Sequence, residues 1–261
     1  MAATPLDILA IAAHRDDVEQ TCGGTLLKAA QSSHRTGILD LTQGEMGTRG
    51  TAEDRAREAS DAARILGVSW RRALDIPDGR VENTWENRLK VASIIRETRP
   101  RVVILPYWKG RHPDHYTCSV LGYEACFLAG LRKLALSAQP SAISHTDSRA
   151  AASLDKMETL APHRPFKIIY ATLYYDVRPT FVVDISEQFE KKFASILAYK
   201  SQFSDQEAGK DLFPAHDEIH ARVESMARYY GALGGVKYAE PFLQKEVGLV
   251  GDLLAIPVKS I

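Results

Sequence analysis

An apolar run at Leu9–Ala13 ends abruptly in His14, Arg15, Asp16 and Asp17, and Glu19 follows two positions later. An imidazole and three carboxylates this close together repel and are costly to desolvate unless a positive charge sits among them. The residues alone leave two candidates for that charge, the guanidinium of Arg15 or a metal ion. A second polar cluster, KGRHPDH at 109–115, follows another apolar run, RVVILPY. Together the two stretches offer His14, Asp16, Asp17, His112, Asp114 and His115. Two imidazoles and a carboxylate, with one position left for water, form a typical catalytic zinc shell, and the same donors accept ferrous iron. Each stretch alone also has a plainer reading. An Asp-Asp pair at a strand–helix turn is often a cap with charge favourable to the helix start, Pro113 is an ordinary first-turn residue, and a single loop histidine is usually solvated.

The two clusters matter only if the chain brings them together. Leu6–Ala13 reads as a short buried strand. The pair Gly23-Gly24 leads into a helical pattern through about Ser32, and Thr36–Thr42 reads as a second strand. After the loop QGEMGTRG, Thr51 and Asp54 have capping-box spacing, and Ala52, Ala56, Ala59, Ala63 and Leu66 recur at helical intervals. Arg71–Ile76 is a third strand with a turn at PDG. Asn83 and Glu86 open a helix apolar at Trp85, Leu89, Ala92 and Ile94 or Ile95. Arg101–Tyr107 is the clearest buried strand, followed by a helix from His115 to about Lys133. Strand–helix alternation with continuously apolar strands predicts an α/β fold: a Rossmann-like, mostly parallel sheet with helices on both faces. Ligand sites in such sheets lie beyond the carboxyl ends of the strands, where both clusters fall. No GxGxxG is present, so a nucleotide-binding enzyme is disfavoured.

Residues 136–165 lose periodicity and read as a surface excursion with a short helix near Ala151–Leu160. Lys167–Tyr175 and Thr180–Ile185 read as strands, Ser186 as the cap of a helix apolar at Phe189, Phe193, Ile196 and Leu197, and Asp217–Leu233 as a further helix. The C-terminal third is expected to complete the sheet, so residues 1–261 form one domain. With 33 basic and 33 acidic residues, nothing attracts the chain to nucleic acid or an anionic membrane. No apolar run reaches the roughly 20 residues that span a bilayer, and MAATPLDIL lacks the parts of a signal peptide. Three scattered cysteines fit neither a disulfide scaffold nor a cysteine zinc site. The expected location is the cytoplasm.

HRDDVE followed by Gly23-Gly24, then HPDH at 112–115, resembles the PIG-L/LmbE-like family of zinc-dependent N-deacetylases. The wider family carries HPDDE; here Arg15 stands for the proline and Val18 separates Asp17 from Glu19. That form is similar to the bacillithiol-pathway branch, which deacetylates N-acetylglucosaminyl malate. DLTQGEMGTRGTAEDRAREA, PDGR, PYWKGRHPDH, GLRKL, VVDIS, AYKSQF and Tyr230-Gly231 fit that branch in order, while about 136–160 looks longer than the branch usually has. The resemblance implies zinc, with iron(II) as the alternative, held by His14, Asp17 and His115. It implies Asp16 as the general base and His112, oriented by Asp114, as the group that steadies the oxyanion or protonates the leaving amine. Glu19 is either a carboxylate behind a ligand or a solvated helix residue. For substrate it points to Arg55 and Tyr199, with Arg49 and Arg111 as partners of the malate carboxylates. Arg15 has no family counterpart and is expected to point away, into solvent or a subunit interface. The implied partner is a small N-acetylated sugar conjugate, and the implied assembly a homo-oligomer, trimer or hexamer. Alternatives are the same reaction on another GlcNAc conjugate (inositol, chitooligosaccharide, thiol S-conjugate) or a non-catalytic sugar- or metal-binding protein. The presence of Asp16 argues against the last, because binding alone needs no base beside a ligand.

Overall fold

The computed structural model describes residues 4–137, 159–173, 177–203 and 216–258. In chain order the elements are β1 Ile8–Ala12, α1 Asp17–Gln31, β2 Thr36–Asp40, α2 Ala52–Ile65, β3 Trp70–Ala73, α3 Trp85–Thr98, β4 Val102–Pro106 and α4 Pro113–Ala129. They continue as β5 Lys167–Ala171, β6 Phe181–Asp184, α5 Phe189–Leu197, α6 Lys200–Phe203, α7 His216–Gly234 and β7 Ala239–Leu243. The strands form one seven-stranded sheet in the order β3-β2-β1-β4-β5-β7-β6. Neighbours from β3 to β5 run parallel, and β7 pairs antiparallel with both β5 and β6. The expected α/β sheet is therefore observed, and the C-terminal strands complete it.

Period-two alternation sorts β1 between the two faces. Leu9 and Ile11 join the core under α3 and α4, and Ala10 and Ala12 join the core under α1. Strand order reverses between β1 and β4, which lie side by side with Ile8 opposite Val102 and Ala10 opposite Ile104. That reversal opens the crevice at their carboxyl ends, and the two polar clusters emerge there.

Several local expectations shift. Thr84, not Asn83, caps α3 by accepting from the Asn87 N–H, and Trp85 is half exposed rather than core. Gln188, not Ser186, precedes α5; the Ser186 hydroxyl donates to Asp184 instead. Helix α4 begins at Pro113 and ends at Ala129, short of Lys133. The capping box at Thr51 and Asp54 forms as expected. The expected helix near Ala151–Leu160 falls, except for its last two residues, outside the described segments.

Gly23-Gly24 lies inside α1 rather than ahead of it. The helix starts at Asp17 and bends at Cys22, whose φ of −140° is non-helical. The bend frees two amides further along, and the buried Glu240 of β7 accepts from the N–H groups of Gly24 and Thr25 at 2.9 and 2.7 Å. Lys192 of α5 balances that carboxylate at 2.7 Å. Gly24 has no room for a side chain: a Cβ there would stand 2.9 Å from Ile185, whereas one at Gly23 would meet Leu66 at an ordinary 3.5 Å. Gly24→Ala should therefore destabilise the protein by about 1–3 kcal/mol through overpacking. Gly23→Ala should be neutral or stabilise by about 0.5–1 kcal/mol through helix propensity. Urea unfolding of both variants checks the contrast, and equal effects would contradict the packing described.

Candidate metal centre

His14 and Asp17 come from the turn joining β1 to α1, and His112, Asp114 and His115 from the turn joining β4 to α4. Because β1 and β4 are neighbours, the two turns face each other. The Nδ1 of His14 lies 3.2 Å from Nε2 of His115 and 3.5 Å from a carboxylate oxygen of Asp17. The other Asp17 oxygen is 3.2 Å from the same His115 nitrogen. Bonds of about 2.0–2.1 Å at a tetrahedral angle place neighbouring ligand atoms roughly 3.3 Å apart. The two imidazole nitrogens and the Asp17 carboxylate, which turns one oxygen toward each of them, thus stand near the spacing one small cation demands, and imidazoles with a carboxylate suit Zn²⁺ or Fe²⁺. His112 packs beside them, its ring centroid 4.7 Å from that of His14 and 4.9 Å from that of His115.

The far edge of His14 explains how its donor nitrogen is chosen. Nε2 lies 3.0 Å from Asp78 and 3.3 Å from Asp114. Two carboxylates on one nitrogen fix the proton there and leave the Nδ1 lone pair for a cation. Burial alone would lower the His14 pKa, but the hydrogen bonds to Asp114, Asp17 and Asp78 overcome it and push it up to about 12. Without a cation, a proton fills its role. Burial opposes ionisation of Asp17, yet His115 and His14 hold it well below the usual carboxylate range. Asp78 is absent from the sequence-based candidates. It sits in PDG, beyond the carboxyl end of β3, and that position on the shared edge of the sheet was the available signal.

Asp16 precedes α1, next to Asp17. Its φ of 104° is left-handed and strained for a residue with a side chain. Arg55 opposes the strain: its guanidinium donates to the Arg15 carbonyl and lies 3.3 Å from the Asp16 carboxylate. Burial raises the Asp16 pKa, Arg55 lowers it and Asp17 raises it, leaving it at about 7. That value matches a base working near neutrality.

Other expected site residues take partners different from those expected. The Asp114 carboxylate turns to His14 and accepts from the N–H groups of Gly79 and Val81, so it does not orient His112. Instead the Asp114 backbone N–H donates to Nδ1 of His112 at 3.2 Å. Burial, reinforced by His14 and His115, lowers the His112 pKa, which favours its neutral imidazole. Tyr199 is fully buried below the site, its hydroxyl on Glu19 at 3.0 Å. Glu19 in turn pairs with Arg71 at 2.6 Å, and Arg71 forks onto Asp40. Neither Tyr199 nor Glu19 reaches the crevice, because this network needs them beneath it. Arg49 is buried against α6, donating to the Gln202 carbonyl at 3.3 Å while Gln202 donates back to its carbonyl. Arg111 is exposed beside His112. Arg15 does not face solvent: it is 7 % exposed and donates to the carbonyls of Gln43 and Ala52, pinning the loop after β2. The counter-charge for the carboxylates is therefore not Arg15.

A family model described as PIG-L, GlcNAc-PI de-N-acetylase, matches residues 9–126, the span that holds both turns. Over 244 residues the chain is 30 % identical to a diacetylchitobiose deacetylase of Thermococcus kodakarensis, covering 89 % of this chain and 80 % of that protein. The chain belongs to the PIG-L family. A conserved protein from Thermus thermophilus shares the fold with a TM-score of 0.77 at 38 % identity, covering 94 % of this chain and 98 % of that one. An N,N'-diacetylchitobiose deacetylase from Pyrococcus horikoshii, solved with an inhibitor, superposes with a TM-score of 0.73 at 25 % identity, over 90 % and 82 % of the chains. The PIG-L span contains every donor of the cluster and also Asp78, so the second carboxylate on His14 is part of the same unit.

Removing that carboxylate should loosen the donor set. Asp78→Ala is expected to weaken metal binding about 10–100-fold, read by competition with a chromogenic chelator. An unchanged affinity would show that Asp114 alone holds His14. In metal-free protein the Asp16 carboxyl should titrate near 7 and move to lower pH when a divalent cation is added, as carbon-detected NMR would record.

Proposed function

We propose that the chain is a metal-dependent hydrolase that removes the N-acetyl group from a GlcNAc-type substrate. The observation that carries this reading is a strained, half-buried Asp16 with a pKa near 7 beside three converging donors. The names of the relatives, diacetylchitobiose deacetylase and a deacetylase of an inositol-linked amino sugar, support the same class. Zinc is the favoured ion, with His14, Asp17 and His115 as its ligands. When bound, the ion supplies a Lewis acid that polarises the acetyl carbonyl and acidifies water.

The protein's own groups do the rest. Asp16, held toward the crevice by Arg55, accepts a proton from the attacking water. His112 accepts at Nδ1 from the Asp114 amide, so its remaining N–H is at Nε2, free of that contact and able to donate to the developing oxyanion. Such a donor is worth about 3–4 kcal/mol. Asp78 and Asp114 hold the His14 ring in the donating tautomer. The proton taken by Asp16 then goes to the departing amine as the C–N bond breaks, giving acetate and a free amino sugar.

Within this class, N-acetylglucosaminyl malate is the conjugate the branch-like motifs favour, and Arg111, exposed and next to His112 in sequence, would pair with a malate carboxylate. Three buried free thiols suit a reducing, cytoplasmic setting. Tyr116, Val120, Tyr123 and Phe127 expose one apolar stripe along α4, which supports assembly into a homo-oligomer.

Asp16→Asn keeps a residue type that tolerates positive φ. It should cut acetate release about 100-fold or more while the metal stays bound; His14→Ala should lose both. Metal analysis together with acetate assays on N-acetylglucosamine, diacetylchitobiose and the malyl and inositol conjugates tests the reading. Full activity in Asp16→Asn would sink it.

A further inference from the structure

Two cavities meet beside the donor cluster, and they differ greatly in size. The smaller, about 30 Å³, is lined by Asp17 and His115 together with Val18, Cys22, Pro106 and Ala171. It reaches into the crevice between β1 and β4. The larger, about 440 Å³, lies between α1, α7 and the start of β7 and is lined by Val223, Met226, Tyr229 and Pro241 among others. Of the two, the smaller is the one walled by groups of the donor cluster. Thr21 and Leu173 line both, so they form the partition.

We propose that the small chamber is the acyl pocket, that its volume restricts the enzyme to acetyl amides, and that Leu173 is the residue which sets this limit. The inference rests on the amide-hydrolase reading above and adds the orientation of the substrate within the site. A volume of about 30 Å³ takes one or two groups the size of water, which admits a methyl and excludes a longer chain. Apart from Asp17, Thr21, Tyr107, Lys109 and His115 its walls are mostly apolar, which suits a methyl group. The amine side of the substrate then runs past Thr21 and Leu173 into the larger cavity, where there is room for a sugar and its substituent. Water adds to the acyl carbon at the mouth of the small chamber, beside Asp17 and His115, and the C–N bond breaks. The carboxylate is left on the small side and the protonated amine on the large side.

Leu173 is half-buried and follows β5 without belonging to the core clusters, so its truncation should leave the fold intact. The experiment compares N-acetyl, N-propionyl and N-butyryl glucosamine as substrates of the metal-loaded enzyme. The wild-type kcat/KM should fall about tenfold or more from acetyl to butyryl, the scale of overpacking a filled site. Leu173→Ala should flatten that profile by at least about fivefold. Ser225→Trp, which narrows the large cavity from an exposed position, should lower kcat/KM for a large conjugate relative to free N-acetylglucosamine and leave the acyl profile unchanged. A flat wild-type profile, or a Leu173→Ala profile as steep as wild type, overturns the assignment. Binding of acetate, propionate and butyrate to the metal-loaded protein, read by NMR, gives the same comparison without turnover. If no amide is cleaved, the proposed function fails, and the carboxylate series still decides the pocket.

Discussion

Like charge crowded on one sheet edge is the constraint around which this protein is arranged. Asp16 and Asp17 leave β1, Asp78 leaves β3 and Asp114 leaves the turn after β4, and all four carboxylates lie within the neighbourhood of His14 and Arg55. Such a group is stable only when cations lie between the anions. The chain provides one permanently, the Arg55 guanidinium, and in the proposed function a metal ion among His14, Asp17 and His115 is the other. The His14 proton affinity expresses the same demand. The carboxylates of Asp114, Asp17 and Asp78, which raise the His14 pKa, draw positive charge to this place.

Below that edge a second polar layer keeps the first in position. Arg71 joins Glu19 to Asp40, Tyr199 closes on Glu19, and the Arg55 guanidinium lies 5.6 Å from the Tyr199 ring centroid. These groups are buried and joined to one another, with Oε2 of Glu19 and Nε of Arg55 left without a hydrogen bond, so rotating any one of them would add a further unpaired charge in a low dielectric. The layer therefore makes the floor of the site stiff, and α5 and α6, far along the chain, are built into it through Tyr199 and Gln202. A strained Asp16 persists because the surrounding contacts outnumber the one poor dihedral.

Much of this was legible in the sequence, and the exceptions have physical causes. LAIAA and RVVILP read as buried strands because parallel strands covered on both faces need continuous apolar residues, and the clusters after them read as a site because the sheet rule puts ligands there. His14, Asp17 and His115 were therefore legible as members of a candidate cluster, while their roles came from the family resemblance. Partners chosen by tertiary packing were not. Tyr199 and Arg49 look like substrate contacts until the fold shows Glu19 and Gln202 already occupying them. Asp78 hides in a short turn whose residues suit any loop. Strand β7 is hidden because Pro241 argues against a strand. It is tolerated because it sits one residue past the last pairing with β5, at Phe242 opposite Ala171.

The bend in α1 carries a temporal consequence. The helix that begins with Asp17 is capped midway by the side chain of Glu240, more than two hundred residues downstream. No local interaction can substitute, since the amides of Gly24 and Thr25 are released by the bend itself. During synthesis the amino-terminal half can collapse and pair its first strands, but this helix acquires its final form only after residue 240 has cleared the ribosome tunnel. Competence for chemistry thus arrives late in the life of the nascent polypeptide, and a chain interrupted before that point would carry the histidines and aspartates without the scaffold that aims them.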